Sequence, residues 1–240
     1  MAELRRRRSV SQAHLLRLLE SQLADLVTGE WRPLDVVDLG GGTGVIAIPL
    51  AARGHRVTVV DPSPDALASL ERRTAEAELS GRITGRQGDA ADLVRLIGEH
   101  QADVLICHRV LDVIETPADA LQAMATALRP GGVLSLLAAQ RHASVLSQAL
   151  AGHIALARRS YADPTRLDYD QVIDAVQHAG FTVRASHGIG AIADLVPERL
   201  IEEPGAYDEL VALEAEISQD PAFRALAPQV HVFAQSTRSH

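Results

Sequence analysis

The 240-residue chain has few aromatic residues, which make up 3% of it. Its core must therefore be packed with aliphatic side chains, and a nucleic-acid platform built from many stacked rings is not expected. Cysteine occurs once, as Cys107. That excludes an internal disulfide and a cysteine-built metal cage, and a lone cysteine inside an apolar run reads as a small buried hydrophobe rather than a nucleophile. No apolar run reaches the ~18 residues that a membrane span needs. Arg5 to Arg8 are basic, but the stretch after them is interrupted by polar residues, unlike a secretory signal. A soluble, cytoplasmic protein without membrane contact is the expectation. Net positive charge is also lacking: the formal charge of -8 makes a poor non-specific nucleic-acid binder, while leaving room for a local basic patch. Internal repeats and low-complexity segments are absent.

Apolar residues are plentiful, at 47%. With this length they suit one α/β domain carrying a small appended lobe. Residues 1–28 read as a basic arm and a lead-in helix, with leucines at helical spacing (Leu15, Leu18, Leu19, Leu23, Leu26) and an end near Gly29. From there short apolar strands alternate with amphipathic helices. Strands are expected at 34–39, 56–60, 82–86, 103–107 and 133–138. Helices are expected at 44–53, from Ser63-Pro64 to about 79, and from Thr116-Pro117, where the spacing to Asp119 suggests a capping box. Such alternation builds βαβ units and a parallel sheet. The crossover rule then gathers the strand C-terminal ends on one edge, where ligands bind.

After the fifth strand the rhythm breaks. Residues 140–165 are irregular and partly helical in pattern, and hold Arg141, Arg158 and Arg159. A helix at 168–179, a strand from Phe181, a helix at 206–218 and a last strand at 229–234 follow. The segments 140–165 and 189–205 leave the core pattern and read as substrate-lid insertions in a catalytic domain spanning 29–240.

The segment Val36 to Gly44 (VVDLGGGTG) is a strand running into a glycine-dense turn and then a helix. Glycines let a backbone turn tightly and approach a ligand, and the helix start offers free N–H groups. The glycines at Gly40, Gly42 and Gly44 depart from the dinucleotide fingerprint, because Val45 stands where its third glycine belongs. Asp61 ends the second strand and suits the two hydroxyls of an adenosine ribose, a feature that NAD shares; it also reads as a helix cap before Pro62. Asp89-Ala90 follows the third strand, where a plain surface turn would look similar. His108 follows the fourth strand and reads either as a base or acceptor-orienting group or as a packing residue lining the cofactor.

Asp38, the Gly40–Gly44 spacing, Asp61, Asp89 and the Pro130-Gly131-Gly132 turn together resemble class I S-adenosylmethionine-dependent methyltransferases. The resemblance implies a doubly wound, Rossmann-like, seven-stranded and mostly parallel sheet. It implies that Asp38, Gly40, Gly41, Gly42 and Gly44 cradle the methionine part of S-adenosylmethionine. Asp61 would take its ribose, Asp89 and Ala90 its adenine, and His108 would line the reactive end. Within that superfamily, Cys107 to Ile114, Leu128 to Leu137 and Tyr207 to Val232 are similar to the tRNA 5-carboxymethoxyuridine methyltransferases, which implies a carboxylate on a modified tRNA uridine as methyl acceptor.

Two departures stand out. Ala139-Gln140 replaces an aromatic-Asn pair of that family. Pro228-Gln229-Val230-His231 lacks its Arg-Tyr pair, so only His231 remains. A substrate carboxylate favours a bidentate guanidinium, leaving Arg141, Arg158 and Arg159 as candidates to replace the missing one. A small-metabolite O- or N-methyltransferase and a non-catalytic cofactor-binding partner subunit are the competing readings, with a nicotinamide oxidoreductase disfavoured by the glycine spacing. A carboxylate acceptor needs no base at neutral pH; a hydroxyl or amine acceptor would, and His108 is then the first candidate.

Overall fold

The computed structural model describes residues 9–27 and 31–237; Arg5–Arg8 and the expected helix end at Gly29 lie outside them. The elements in chain order are α1 (Val10–Ala24), β1 (Asp35–Leu39), α2 (Ala47–Ala52), β2 (Arg56–Asp61), α3 (Pro64–Glu76), β3 (Ile83–Gln87), α4 (Leu93–Ile97), β4 (Ala102–His108), α5 (Pro117–Ala127) and β5 (Leu128–Ala139). They continue with α6 (Arg141–Leu150), α7 (Ile154–Ala162), α8 (Tyr169–His178), β6 (Phe181–Ile189), α9 (Glu198–Ile201), α10 (Ala206–Ile217), α11 (Pro221–Leu226) and β7 (Gln229–Ser236). The seven strands form one sheet in the order β3-β2-β1-β4-β5-β7-β6. The chain groups into two compact units, one of residues 27–139, 169–186 and 232–240, the other of residues 1–26, 140–168 and 187–231.

In the first unit β3, β2, β1, β4 and β5 pair in parallel. Parallel strands covered on both faces read as continuous apolar runs, and Val104, Leu105, Ile106 and Cys107 are fully buried. Not every strand ends on the same edge, as the crossover rule applied to a wholly parallel sheet would have it. The Gln235 side chain donates to the Gly131 carbonyl at 2.9 Å and the Thr237 N–H to the Gly180 carbonyl at 3.0 Å. The end of β7 therefore lies beside the starts of β5 and β6, and β7 runs antiparallel.

Helix starts follow their cap signals. Ser63 accepts the Ala66 N–H at 3.2 Å, and Pro64 opens α3. At α5 the proline sets the start, but the Thr116 side chain makes no capping bond, so the expected capping box does not form. The Pro130-Gly131-Gly132 segment is drawn into β5 as a bulge rather than preceding it. Ala102 pairs with Leu128, and Val104 already pairs with Val133. Gly131 takes φ +73°, and a Cβ on Gly132 would stand 2.9 Å from the Arg129 carbonyl oxygen. Arg129 itself bridges Asp35 at 3.0 Å and Asp103 at 2.9 Å, tying together the starts of β1 and β4.

In the second unit α1 packs on α10, with Val10, Ala193, Leu210 and Val211 forming a common apolar cluster. Glu214 of α10 is fully buried. Its carboxylate accepts the N–H groups of Gly190 (3.1 Å), Ile192 (2.7 Å) and Ala193 (2.6 Å). The irregular pattern of 140–165 resolves into the antiparallel pair α6 and α7, joined side chain to side chain where Ser160 donates to Gln148 at 2.9 Å. The short helices α9 and α11 go beyond the elements that the sequence pattern predicts. For α11 the signal was present: Asp220 accepts the Ala222 N–H at 2.8 Å beside Pro221.

Candidate functional site

The glycine loop leaves β1 at Leu39 and enters α2. Gly40, Gly42 and Gly44 all have positive φ, at +70°, +54° and +80°, where an L side chain is strained. A Cβ on Gly40 would lie 2.2 Å from Val110 Cγ2, and one on Gly41 2.4 Å from Asp38 Oδ2. Gly42 is different, with its nearest atom, Asp61 Oδ2, at 3.7 Å. That side of the loop is open backbone. Arg73 of α3 holds the loop from behind, donating to the Thr43 carbonyl at 2.5 Å and to its hydroxyl at 3.0 Å. Arg73 carried no signal in the sequence, since an arginine on an amphipathic helix reads as surface.

Asp38 is 2% exposed, and its Oδ2 has no hydrogen-bond partner. Burial, with the nearby Asp61 charge, pushes its carboxyl up to about 7. A buried carboxylate oxygen without a donor is costly, and a cationic donor such as an ammonium would satisfy it. Asp61 is also buried, and its two oxygens accept the Gly42 N–H at 2.9 Å and the Ser63 N–H at 2.9 Å. The helix cap is Ser63, so Asp61 is free of that duty. Each carboxylate oxygen keeps a further lone pair, enough for two ribose hydroxyls.

Asp89 is exposed and Ala90 buried. Asp89 Oδ1 accepts the Ala91 N–H at 2.8 Å, which fixes the turn after β3. Both residues line a cleft of about 620 Å³, together with Leu39, Gly40, Val110 and Ile114. The loop 110–116, which overlaps the Cys107–Ile114 run of the resemblance, closes this cleft, and Val113 there is 79% exposed. His108 ends β4, with its Nε2 2.8 Å from the Ser135 hydroxyl. Burial lowers it to about 3, so it is neutral at physiological pH. The next residue, Arg109, is held at φ +62°, with its N–H on the Leu137 carbonyl at 2.8 Å. Cys107 is fully buried and its thiol is pushed up to about 12, which leaves it inert.

Asp38, the four glycines, Asp61, Asp89, Ala90 and His108 all belong to the first unit. Arg141, Arg158, Arg159 and His231 all belong to the second. Arg141 is engaged with Asp168 at 2.6 Å. Arg158 and Arg159 are exposed on α7. His231 is fully buried in β7, its ring 6.2 Å from that of His187. Gln140 is buried too: its side-chain amide donates to the carbonyls of Arg224 (2.8 Å) and Ala227 (2.9 Å), and its N–H to that of Pro228 (3.0 Å). The glutamine that departs from the family pattern thus anchors the turn leading into β7. Among the described residues no cluster of His, Cys, Asp and Glu suits a metal ion, and no helix is long and apolar enough to cross a membrane.

Residues 36–132 match the methyltransferase domain family. The chain is 29% identical over 227 residues to the tRNA 5-carboxymethoxyuridine methyltransferase of Escherichia coli (strain K12), covering 90% of this chain and 85% of that one. It is also 29% identical over 119 residues to the ubiquinone biosynthesis O-methyltransferase of Stutzerimonas stutzeri, covering 49% of each. Among solved structures, the magnesium protoporphyrin IX methyltransferase of Synechocystis PCC 6803 superposes with a TM-score of 0.63 at 17% identity, over 95% of this chain and 84% of that one. The 1,6-didemethyltoxoflavin-N1-methyltransferase of Burkholderia thailandensis gives 0.58 at 17%, over 96% and 80%. These likenesses establish the fold, and the domain match with the curated relatives establishes the class of chemistry: the chain is an S-adenosylmethionine-dependent methyltransferase of the class I fold.

Proposed function

We propose that the chain transfers a methyl group to a carboxylate on a modified wobble uridine of tRNA. The observation that carries this is the extent of the similarity. It runs through 90% of the chain for the tRNA-modifying relative, whereas ubiquinone biosynthesis O-methyltransferases align over 40% to 65% of it. A match that runs on past the cofactor fold into the C-terminal half says more about substrate than one confined to that fold. A cytoplasmic location goes with this reading.

S-adenosylmethionine supplies a methyl carbon already activated by a positive sulfur. The buried Asp38 oxygen is the candidate partner for the cofactor's ammonium, the open backbone at Gly42 for its methionine part, Asp61 for the ribose, and Asp89 with the Ala90 N–H for the adenine. The residues fit such a cation: an unpartnered buried carboxylate oxygen and a loop face clear of side chains. A carboxylate acceptor is ionised at neutral pH and needs no general base. That agrees with His108, whose low proton affinity makes it a poor base and suits it to orienting the acceptor. Arg158, Arg159 and His231 remain the substrate-side candidates, while Arg141 is already matched by Asp168.

Labelled S-adenosylmethionine incubated with the enzyme and either total tRNA or a small-metabolite extract tests the reading. Label entering tRNA, in a nucleoside that loses it on mild alkaline hydrolysis as a methyl ester does, is the expected result. Label confined to metabolites would overturn the tRNA assignment and favour a small-molecule O- or N-methyltransferase. Binding of S-adenosylhomocysteine without turnover of either pool would favour a non-catalytic subunit.

A further inference from the structure

The α6–α7 pair has a surface that the cofactor chemistry does not use. Residues 140–162 contain no aspartate or glutamate but hold Arg141, His142, His153, Arg158 and Arg159, in a chain of net charge -8. The first carboxylate beyond them, Asp163, accepts from the Thr165 N–H at 2.9 Å and its hydroxyl at 2.7 Å. With Arg141 matched by Asp168, Arg158 and Arg159 of α7 leave the hairpin a positive patch on an acidic protein, where a polyanion would be drawn by charge.

A groove of about 410 Å³ runs along it, lined by Val145, Ala149, Ile154, Ala157, Arg158, Tyr161 and Ala162. Its floor is small and aliphatic. Its rim carries Arg158 and Tyr161, three residues apart on α7 and so neighbours on one helix face. Tyr161 is 65% exposed, a costly place for one of the chain's three tyrosines unless something covers it. A planar guanidinium and a phenol ring beside an apolar floor are the groups on which an unpaired nucleobase stacks, with adjacent basic side chains taking the phosphates.

We propose that the α6–α7 groove is a docking site for single-stranded RNA, stacking one unpaired base of the tRNA substrate against Tyr161 and Arg158 while Arg159 contacts the backbone. This rests on the tRNA reading above and extends it. It gives Arg158 a role in holding the RNA rather than the reacting carboxylate. One exposed ring suffices, so the site is compatible with a chain that is poor in aromatics.

The test uses the full chain and an anticodon stem–loop RNA carrying 2-aminopurine at successive loop positions. Wild-type protein should quench the fluorophore at one position. Tyr161→Ala should abolish that quench and weaken RNA binding about tenfold. Tyr161→Phe should restore both. Arg158→Gln and Arg159→Gln should each weaken binding and lower the slope of log affinity against log salt by about one. S-adenosylhomocysteine affinity, measured by calorimetry, should be the same in all variants and reports that they are folded. Unaltered RNA binding and quenching in Tyr161→Ala, in an enzyme that still methylates tRNA, would overturn the docking site alone. Failure of the wild type to label tRNA would overturn the functional reading beneath it. Variants that lose binding to vesicles of phosphatidylcholine and phosphatidylglycerol, or lose a concentration-dependent dimer, while binding RNA normally would assign the groove to a membrane or to a second copy, and overturn the proposal.

Discussion

The Asp61 carboxylate accepts the Gly42 N–H at 2.9 Å, so the residue placed to hold a ribose is also a structural member of the glycine loop. Its other oxygen accepts the Ser63 N–H at 2.9 Å. Asp61→Ala removes the acceptor for both donors. We expect S-adenosylhomocysteine affinity to fall by at least about tenfold and stability to fall by about 1–3 kcal/mol. Asp61→Asn keeps one acceptor oxygen but turns its NH2 towards the other N–H, so it should recover only part of the stability and little of the affinity. Calorimetry and urea unfolding separate the two effects; equal affinity in Asp61→Ala would remove Asp61 from the site.

The loop glycines differ in what they forbid. An added methyl at Gly40 would meet Val110 Cγ2 at 2.2 Å, on top of a φ of +70°. At Gly42 the space is open and the cost is the left-handed backbone alone, about 1–2 kcal/mol. Gly42→Ala should therefore fold with a modest loss of stability and lose cofactor affinity because it fills the open face. Gly40→Ala should be the more destabilised of the two in urea unfolding. The reverse order would mean that Val110 is not packed against the loop as described.

The cofactor half of this site was legible because its requirements are local. Gly40, Gly42, Gly44, Asp38 and Asp61 lie within two adjacent strand-to-helix turns, and positive φ demands glycine wherever the chain must turn so sharply. Strand and helix positions in the first 139 residues followed from period and caps for the same reason. What the sequence hid depended on contacts distant along the chain. Arg73 reaches Thr43 from the next helix, and Gln140 holds the Arg224–Pro228 turn across more than 80 residues, a range for which no local pattern exists. The antiparallel course of β7 was hidden likewise, because a short apolar strand reads the same in either direction.

Asp38 gives the site a pH dependence whose sign follows from its environment. Its carboxyl is raised from an ordinary 3.8 to about 7 by burial and by Asp61. The folded protein therefore binds a proton that the unfolded chain releases. This favours folding below the ordinary value, and the advantage is lost as pH rises through about 7. A cationic ammonium at Asp38 favours the ionised form, so cofactor binding must release that proton. Affinity for S-adenosylhomocysteine should rise with pH from about 5.5 and level off above about 7, steepening towards tenfold per pH unit at the acid end. Asp38→Asn should bind weakly with a flat profile. A flat profile in the wild type would show that Asp38 is already ionised before the cofactor arrives.

Glu214 offers a test in the other unit that is independent of the cofactor. Its carboxylate is fully buried and accepts three backbone N–H groups, those of Gly190, Ile192 and Ala193. This pins the start of the 189–205 segment to α10. Glu214→Ala leaves three donors facing a cavity and should cost about 3–5 kcal/mol, since hydrogen bonds to a charged group are among the strong ones and buried orphan donors are expensive. Glu214→Gln is milder for a geometric reason. One oxygen, Oε1, serves both Ile192 and Ala193, and an amide oxygen can keep that place while its NH2 faces only Gly190. About 1–2 kcal/mol is expected for it. Urea unfolding of both variants measures the difference, and S-adenosylhomocysteine affinity of the folded fraction should not change. A loss in Glu214→Ala no larger than that in Glu214→Gln would mean that the three N–H groups find other acceptors, and that the segment is not held by this carboxylate.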